Sequence, residues 1–206
     1  PEQARGVARD RVGTLYLPDL RTMDGNVAAA LAETEASSLH LCGLESLDLQ
    51  SATELARYRA AGDRVLCLDG LVRVRPEVLE ALARNKSWGM SLNGLRELDD
   101  RCIRALASGM RAHLELGGIR RFDAPAAAEL RFLEVKFLFL PGVEDLSFVA
   151  AEALVKAKIA YLNLTGLRTI DPPVAVFLAA WERRGGHLVV RPSIRRIIEQ
   201  ENEKIQ

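Results

Sequence analysis

Apolar residues recur along the chain at a nearly fixed interval, and this recurrence predicts most of the architecture. Each copy begins with an apolar residue, and successive copies begin 24, 27, 24, 24, 24, 24 and 26 residues apart. A period in this range is typical of a solenoid, in which stacked units share one core. The starting residues are Leu15, Leu39, Leu66, Met90, Leu114, Leu138, Leu162 and Leu188.

Each copy opens with the pattern of a short strand that ends in a turn. A second aliphatic follows two residues after the first, as in Leu138 and Leu140, so that both side chains face one side of a strand. Two residues further on, six copies carry glycine, which predicts a turn with backbone angles that other residues resist. These glycines are Gly43, Gly70, Gly94, Gly118, Gly142 and Gly166.

A short helix is predicted after each turn. The residue nine positions after the start of a copy is Asp or Ser in six copies, and such residues cap helix N-termini by accepting free backbone N–H groups. The following apolar residues are spaced by three, as in Ile103 and Leu106, which places them on one helical face. The predicted caps are Asp24, Asp48, Asp99, Asp123, Ser147 and Asp171.

These elements predict an α/β fold, a right-handed solenoid with about eight short parallel strands on its concave face and short helices on its convex face. Residues 14–186 form seven strand–turn–helix repeats, and residues 187–206 form the last strand and a C-terminal capping helix that begins at Ser193. Residues 1–13 match the helix positions of the other copies, so we expect them to be the tail of a truncated repeat or an N-terminal cap helix. Since the chain also lacks an initiator Met, we expect a fragment of a longer repeat protein or a processed piece.

Composition narrows the function classes only slightly. The 206 residues are 49% apolar and 27% charged, and 28 basic residues balance 28 acidic ones, so charge does not favour nucleic acid or a membrane as partner. No apolar run is long enough to span a bilayer. The three cysteines do not form a disulfide framework, which slightly favours a reducing, cytoplasmic location. No motif calls for a cofactor.

The repeat columns over residues 14–191 resemble those of the leucine-rich repeat superfamily. This resemblance implies a horseshoe with parallel strands on its concave face and a role in protein recognition. The superfamily usually has Asn or Cys five residues after the first strand aliphatic, where this chain has residues such as Leu44 and Val143, so we expect a divergent, bacterial-type repeat class. The matching strand pairs are Leu39/Leu41, Met90/Leu92, Leu138/Leu140 and Leu162/Leu164.

A second resemblance is local. Residues 161–171 and 183–190 are similar to the strand–helix–strand half of a STAS domain, the family of anti-sigma-factor antagonists. That family has a regulatory serine just after the Asp, where this chain has Pro172 and Pro173. Since six other units share the pattern, we interpret this segment as convergence on one strand–helix geometry.

The strand residues that flank the buried aliphatics should face the concave side. Six of them, from three consecutive copies, would form an aromatic patch bordered by polar groups, which is the composition of many interface hot spots. We therefore expect a protein partner to bind there. The six residues are His113, Glu115, Phe137, Phe139, Tyr161 and Asn163.

A weaker candidate site is formed by metal-ligand residue types on two adjacent strands, namely His40, Cys42, Cys67 and Asp69. Their spacing matches no recognised zinc motif, so the preferred interpretation is polar surface with two free thiols and no metal. No order of Ser, His and Asp suggests a catalytic triad, and the glycines are not clustered as in a phosphate loop.

The sequence thus favours a non-enzymatic module that binds a protein partner, and neither nucleic acid nor membrane, through its concave face. Two alternatives remain open. The chain could be a structural or assembly segment that continues into further repeats, or a STAS-like regulatory or metal-binding protein.

Overall fold

The structure is a computed structural model that describes residues 13–58, 65–85, 89–109 and 112–204. Of the predicted N-terminal segment 1–13, residues 1–12 lie outside the described residues, and so does the prediction of a truncated repeat there. Among the described helices, none is long and apolar enough to cross a membrane.

Within the described residues, eight strands form one parallel sheet in which each strand lies beside those of the neighbouring repeats, as predicted. The register pairs residues of the same repeat column, so that Leu138 lies opposite Leu162. The ladder continues one residue beyond each of the first seven strands, as where Leu116 N–H donates to the Phe139 carbonyl over 2.9 Å. The strands are β1 (Thr14–Tyr16), β2 (Ser38–His40), β3 (Val65–Cys67), β4 (Gly89–Ser91), β5 (His113–Glu115), β6 (Phe137–Phe139), β7 (Tyr161–Asn163) and β8 (His187–Val189).

Helices alternate with the strands and together cover one face of the sheet. A 3₁₀ turn, Leu130–Phe132, extends the shortest of them, in the copy where Arg131 replaces a small residue. The segment similar to a STAS domain forms one further strand–helix–strand unit of the same sheet. The helices are α1 (Gly25–Ala32), α2 (Leu49–Leu55), α3 (Pro76–Ala83), α4 (Asp100–Ala107), α5 (Ala124–Glu129), α6 (Phe148–Lys156), α7 (Pro172–Arg183) and α8 (Pro192–Glu203).

The hydrophobic core runs the length of the solenoid between the sheet and the helices. The central residue of each strand points into it, and Leu39, Leu66 and Leu138 are fully buried. The cluster is continuous from Leu15 to Ile198 on the terminal helix. The flanking strand residues therefore face away from the helices, and we call that sheet face the concave face.

The predicted helix caps are largely confirmed. Asp24, Asp48, Asp123 and Ser147 each accept a hydrogen bond from the backbone N–H three residues on, as does Asp99 from Cys102 over 2.7 Å.

Two cap predictions are wrong. Asp171 occupies the N-cap position but makes no side-chain cap bond, and its helix begins with Pro172 and Pro173, which have no N–H to donate. Ser193 lies within α8 rather than before it. That helix begins at Pro192, whose fixed φ suits a first helical position.

The six glycines that recur at the turns, which we call the glycine column, are required for a different reason from the predicted one. Among the described residues, only Gly185 has a positive φ, of 95°, and it is not in the column. A Cβ on any of the six column glycines would instead lie closer than 3.0 Å to a backbone carbonyl oxygen of the preceding repeat. The glycines are therefore required where stacked turns approach each other, and not for unusual backbone angles.

We expect Asp99→Ala to lower the free energy of unfolding by about 1 kcal/mol at neutral pH, the usual cost of losing an N-cap. Hydrogen bonds from the Cys102 backbone hold the pKa of Asp99 below its ordinary value of 3.8. Because the folded-state pKa is lowered, the ionised cap stabilises the fold above that value, and its contribution is lost as the pH falls through the folded pKa. Urea unfolding at pH 7 and near pH 3 should therefore show a smaller difference between wild type and variant at the lower pH.

Asp171→Ala is the matched control, since Asp171 occupies the same repeat column and makes no cap bond. Equal losses for the two variants at pH 7 would contradict the assignment of Asp99 as a stabilising cap.

Candidate concave-face binding site

The six residues predicted to bind a partner lie together on three neighbouring strands. His113 and Glu115 on β5 are opposite Phe137 and Phe139 on β6. Tyr161 and Asn163 on β7 are opposite the same two phenylalanines. The six side chains therefore form two rows across the middle of the concave face.

The aromatic rings stack across the strands, in a group that we call the aromatic row: His113, Phe139, Tyr161 and His187. The centroid of the His113 ring is 4.6 Å from that of Phe139, and Tyr161 lies 5.2 Å from Phe139 and 5.1 Å from His187. The spacing of parallel strands, about 4.8 Å, brings successive rings within stacking distance. His187 was not among the predicted site residues, although its position in the same strand column as Tyr161 was a usable signal.

Phe137, Phe139 and Tyr161 are half-buried rather than fully exposed, because each ring covers part of its neighbour. Phe137 also packs beside Tyr161, with centroids 5.9 Å apart, and the Lys136 ammonium lies 5.2 Å from the Phe137 ring centroid. The aromatic row is thus an ordered surface, and the adjoining Phe137 ring already holds a cation at its margin.

A network of hydrogen bonds adjoins the aromatic row, on β4 and β5 and just beyond the ends of β3 and β4. We call Asp69, Ser91, Asn93, Glu115 and His113 the polar network. Ser91 Oγ donates to Asp69 over 2.6 Å, and the Asn93 amide nitrogen donates to Ser91 Oγ over 2.8 Å and to Glu115 Oε2 over 3.1 Å. The remaining carboxylate oxygen of Glu115 lies 2.7 Å from His113 Nε2. Each side chain is thereby held in one orientation.

Asn93 is the residue that joins the polar network to the backbone. Its own N–H donates to Asp69 over 2.8 Å, and its side-chain oxygen accepts from Gly117 N–H over 2.6 Å. Ser91 and Asn93 were not among the predicted site residues. Their positions in the outward-facing strand columns were the only available signal, and that signal does not distinguish a network from ordinary polar surface.

Glu115 stays ionised at the centre of this face. Partial burial would raise the pKa of Glu115, but hydrogen bonds from His113 and Asn93 outweigh it and lower the pKa below the ordinary value of 4.5. The carboxylate therefore presents a fixed negative charge next to the aromatic row.

The polar network does not match a nucleophilic triad. In such a triad an imidazole contacts the serine, with the carboxylate behind it. Here the carboxylates of Asp69 and Glu115 lie beside Ser91, and His113 contacts the far side of Glu115. This order suits the binding of a donor group better than the activation of a serine.

The weaker candidate site is only partly assembled. His40, Cys42 and Cys67 have ligand atoms within 4.8 Å of one another. Asp69 is not part of that group, because its carboxylate accepts from Ser91 and Asn93 instead.

The expectation of two free thiols is wrong, since Cys42 and Cys67 form a disulfide across adjacent strands with their Cα atoms 5.7 Å apart. Cys102 is a free, buried thiol, and burial raises its pKa to about 12.

Comparison with known proteins supports the fold and does not identify a partner. No protein-family model matches the chain, and no curated protein sequence is significantly similar to it. A crystal structure of a complex of TLR13, a leucine-rich-repeat protein, with the RNA ssRNA13 is similar to it, with a TM-score of 0.53 and 21% sequence identity. The match covers 83% of this chain and 25% of that chain. The architecture is therefore a leucine-rich-repeat-like α/β solenoid, and this chain spans about a quarter of the length of its structural neighbour.

Proposed function

We propose that the chain is a leucine-rich-repeat recognition module, of a divergent, bacterial-type class, that binds a protein partner through its concave face. Repeat folds of this type are commonly interaction modules. The observation that carries the proposal is the contiguity of the aromatic row with the fixed carboxylate of Glu115. Stacked rings supply a large apolar area at little cost in side-chain entropy, because their neighbours already order them.

The chemistry of the face favours a partner segment with a cationic side chain next to apolar ones. The Glu115 and Asp69 carboxylates are oriented acceptors, and an arginine or lysine could contact one of them while its stem lies over the aromatic row. The position of Lys136 against Phe137 shows the same kind of contact within the chain.

The same charges argue against a nucleic acid partner. A nucleic acid backbone would bring phosphates towards Glu115 and Asp69, and the whole chain has no net positive charge to offset that repulsion. The RNA in the similar structure is in complex with TLR13, which is a different protein.

We expect the triple variant Phe137→Ala/Phe139→Ala/Tyr161→Ala to lose partner binding by at least about 100-fold, as expected when an aromatic hot spot is removed. The measurement is affinity capture from nuclease-treated native lysate, followed by titration of the captured partner with purified wild type and variant. Circular dichroism must first show that both proteins fold.

The matched control is Phe132→Ala/Phe148→Ala, which removes two exposed rings, 51% and 46% accessible, from the helical side of the solenoid. The proposal requires this control to bind as the wild type does, and Glu115→Gln to weaken binding of the same partner. Capture that is identical for the wild type and the triple variant, or that disappears on nuclease treatment, would contradict it.

A second candidate function is a structural or assembly role within a longer repeat protein. It is favoured by the open end of the sheet, because among the described residues β1 pairs with β2 alone. Sedimentation at increasing concentrations separates the two. Self-association that is unchanged in the triple variant would favour assembly, whereas a monomer at all concentrations would favour recognition.

A further inference from the structure

The N-terminal half of the concave face contains three side chains whose types and positions suit a soft metal ion. His40 is the last residue of β2, Cys42 lies just beyond that strand, and Cys67 ends β3. One ligand atom from each lies within 4.8 Å of the other two. His40 and Cys42 are half-buried and Cys67 is 4% exposed, so the group opens towards the concave side.

We propose that these three residues bind one Zn²⁺ ion when the Cys42–Cys67 disulfide is reduced, so that the site alternates between a disulfide and a metal centre. The ligand set would be two thiolates and one neutral imidazole, a combination that zinc sites in proteins use. This assignment goes beyond the proposed recognition function and does not depend on it.

The backbone already brings the ligands near the required separation. A tetrahedral zinc site places its sulfur and nitrogen ligands about 3.5–3.8 Å apart, given the usual metal–ligand bond lengths. The His40 ligand atom lies within 4.8 Å of both sulfurs, about 1 Å beyond this separation, and the two sulfurs, which are bonded in the disulfide, must move apart once the bond is reduced. Small side-chain rotations can supply both changes. The flat pairing of β2 and β3 can therefore stay intact, with Leu39 opposite Leu66 and His40 opposite Cys67.

The imidazole is already held in place on its other side. The Tyr16 ring on β1 packs against the His40 ring, with centroids 5.3 Å apart. Such a contact restricts the orientation of the imidazole, as supporting residues do around metal ligands.

Asp69 is excluded as the fourth ligand, because it is hydrogen-bonded into the polar network. A fourth position would therefore face the concave side, where water or a side chain of the bound partner could occupy it.

The change of state is a balanced redox step. A reducing dithiol transfers two electrons and two protons to the Cys42–Cys67 bond, which yields two thiols and leaves the reductant as its disulfide. Zn²⁺ then displaces the two thiol protons, so binding one ion releases two protons at a pH where both thiols were protonated. A disulfide oxidant reverses the sequence: it accepts two electrons from the two thiolates and two protons from the solvent, leaves as a dithiol, and the re-formed Cys42–Cys67 bond releases Zn²⁺.

The test is a metal titration of the whole chain in two redox states. One sample is reduced with a dithiol and freed of it without air, and the other keeps the disulfide. We expect the reduced protein to bind about one equivalent of Zn²⁺ and the oxidised protein less than about a tenth of an equivalent. Co²⁺ in place of Zn²⁺ should give thiolate-to-cobalt charge-transfer absorption in the reduced sample alone.

Variants identify the ligands. Cys42→Ser and His40→Ala should each bring the bound metal of the reduced protein close to the level of the oxidised protein. Cys102→Ala is the matched control and should retain full binding, because that thiol is buried in the helical layer away from the site.

The wild-type comparison is decisive even where a variant does not fold. Reduced wild type that binds less than about a tenth of an equivalent would overturn the proposal. Equal binding by both redox states would also overturn it, as would folded His40→Ala and Cys42→Ser variants that bind as the wild type does.

Discussion

Gly118→Ala is expected to destabilise the fold by about 3 kcal/mol, at the upper end of the range for overpacking. The added Cβ would lie closer than 3.0 Å to the carbonyl oxygens of Asn93 and Leu95 in the preceding repeat. Both obstructing atoms belong to the backbone, so neither can rotate away as a side chain would. The turns would have to separate, and the ladder between β4 and β5 would be disturbed with them.

The measurement is urea unfolding followed by circular dichroism, with Gly13→Ala as the matched control. A Cβ at Gly13 meets no atom of the described residues within 4 Å, and Gly13 does not have a positive φ. Alanine there should be neutral or slightly stabilising, since it reduces the freedom of the unfolded chain. A Gly118→Ala variant as stable as the Gly13→Ala variant would show that the repeats can separate without cost at this turn.

The glycine column illustrates what sequence reasoning can and cannot determine. The period and the aliphatic columns follow from one rule, that stacked units must share a core, and residues such as Leu66 and Leu138 are buried as that rule requires. Glycine also marks the turns correctly. The sequence cannot show whether a glycine is needed for its backbone angle or for the space beside it, because both demands select the same residue.

The alternation of side chains along a strand predicts some features of the candidate site and not others. Strand alternation is enough to place Phe139 and Glu115 on one face, and the pairing of β5 with β6 confirms their proximity. The orientation of Glu115 by Asn93 depends on side-chain distances of a few ångströms, which no column pattern encodes.

The disulfide was mispredicted for a related reason. Counting three cysteines argues against a disulfide framework, yet the repeat brings Cys42 and Cys67 to adjacent strands with their Cα atoms 5.7 Å apart. That distance falls within the range that a disulfide spans. The register of the repeat was therefore more informative than the number of cysteines.

Substitutions at two adjacent residues of β6 test which side chains of the strand face the core and which face the concave side. The assignment of the concave-face site depends on this. Leu138 is fully buried beneath the sheet, so Leu138→Ala should lower the free energy of unfolding by about 3 kcal/mol through the cavity that it leaves. Phe139 is half-buried on the opposite face, and Phe139→Ala should cost about 1–2 kcal/mol, mainly through lost stacking with His113 and Tyr161.

The two variants should separate stability from recognition. Leu138→Ala should retain partner affinity wherever it remains folded, whereas Phe139→Ala should remain folded and bind the partner at least about tenfold more weakly. Urea unfolding gives the first quantity, and titration with the captured partner gives the second. If Phe139→Ala unfolds the chain while Leu138→Ala does not, the faces of β6 are exchanged and Phe139 belongs to the core. If both fold and bind as the wild type does, the partner contacts another surface, because a half-buried ring within the contact area cannot be removed without loss of its apolar and stacking contribution.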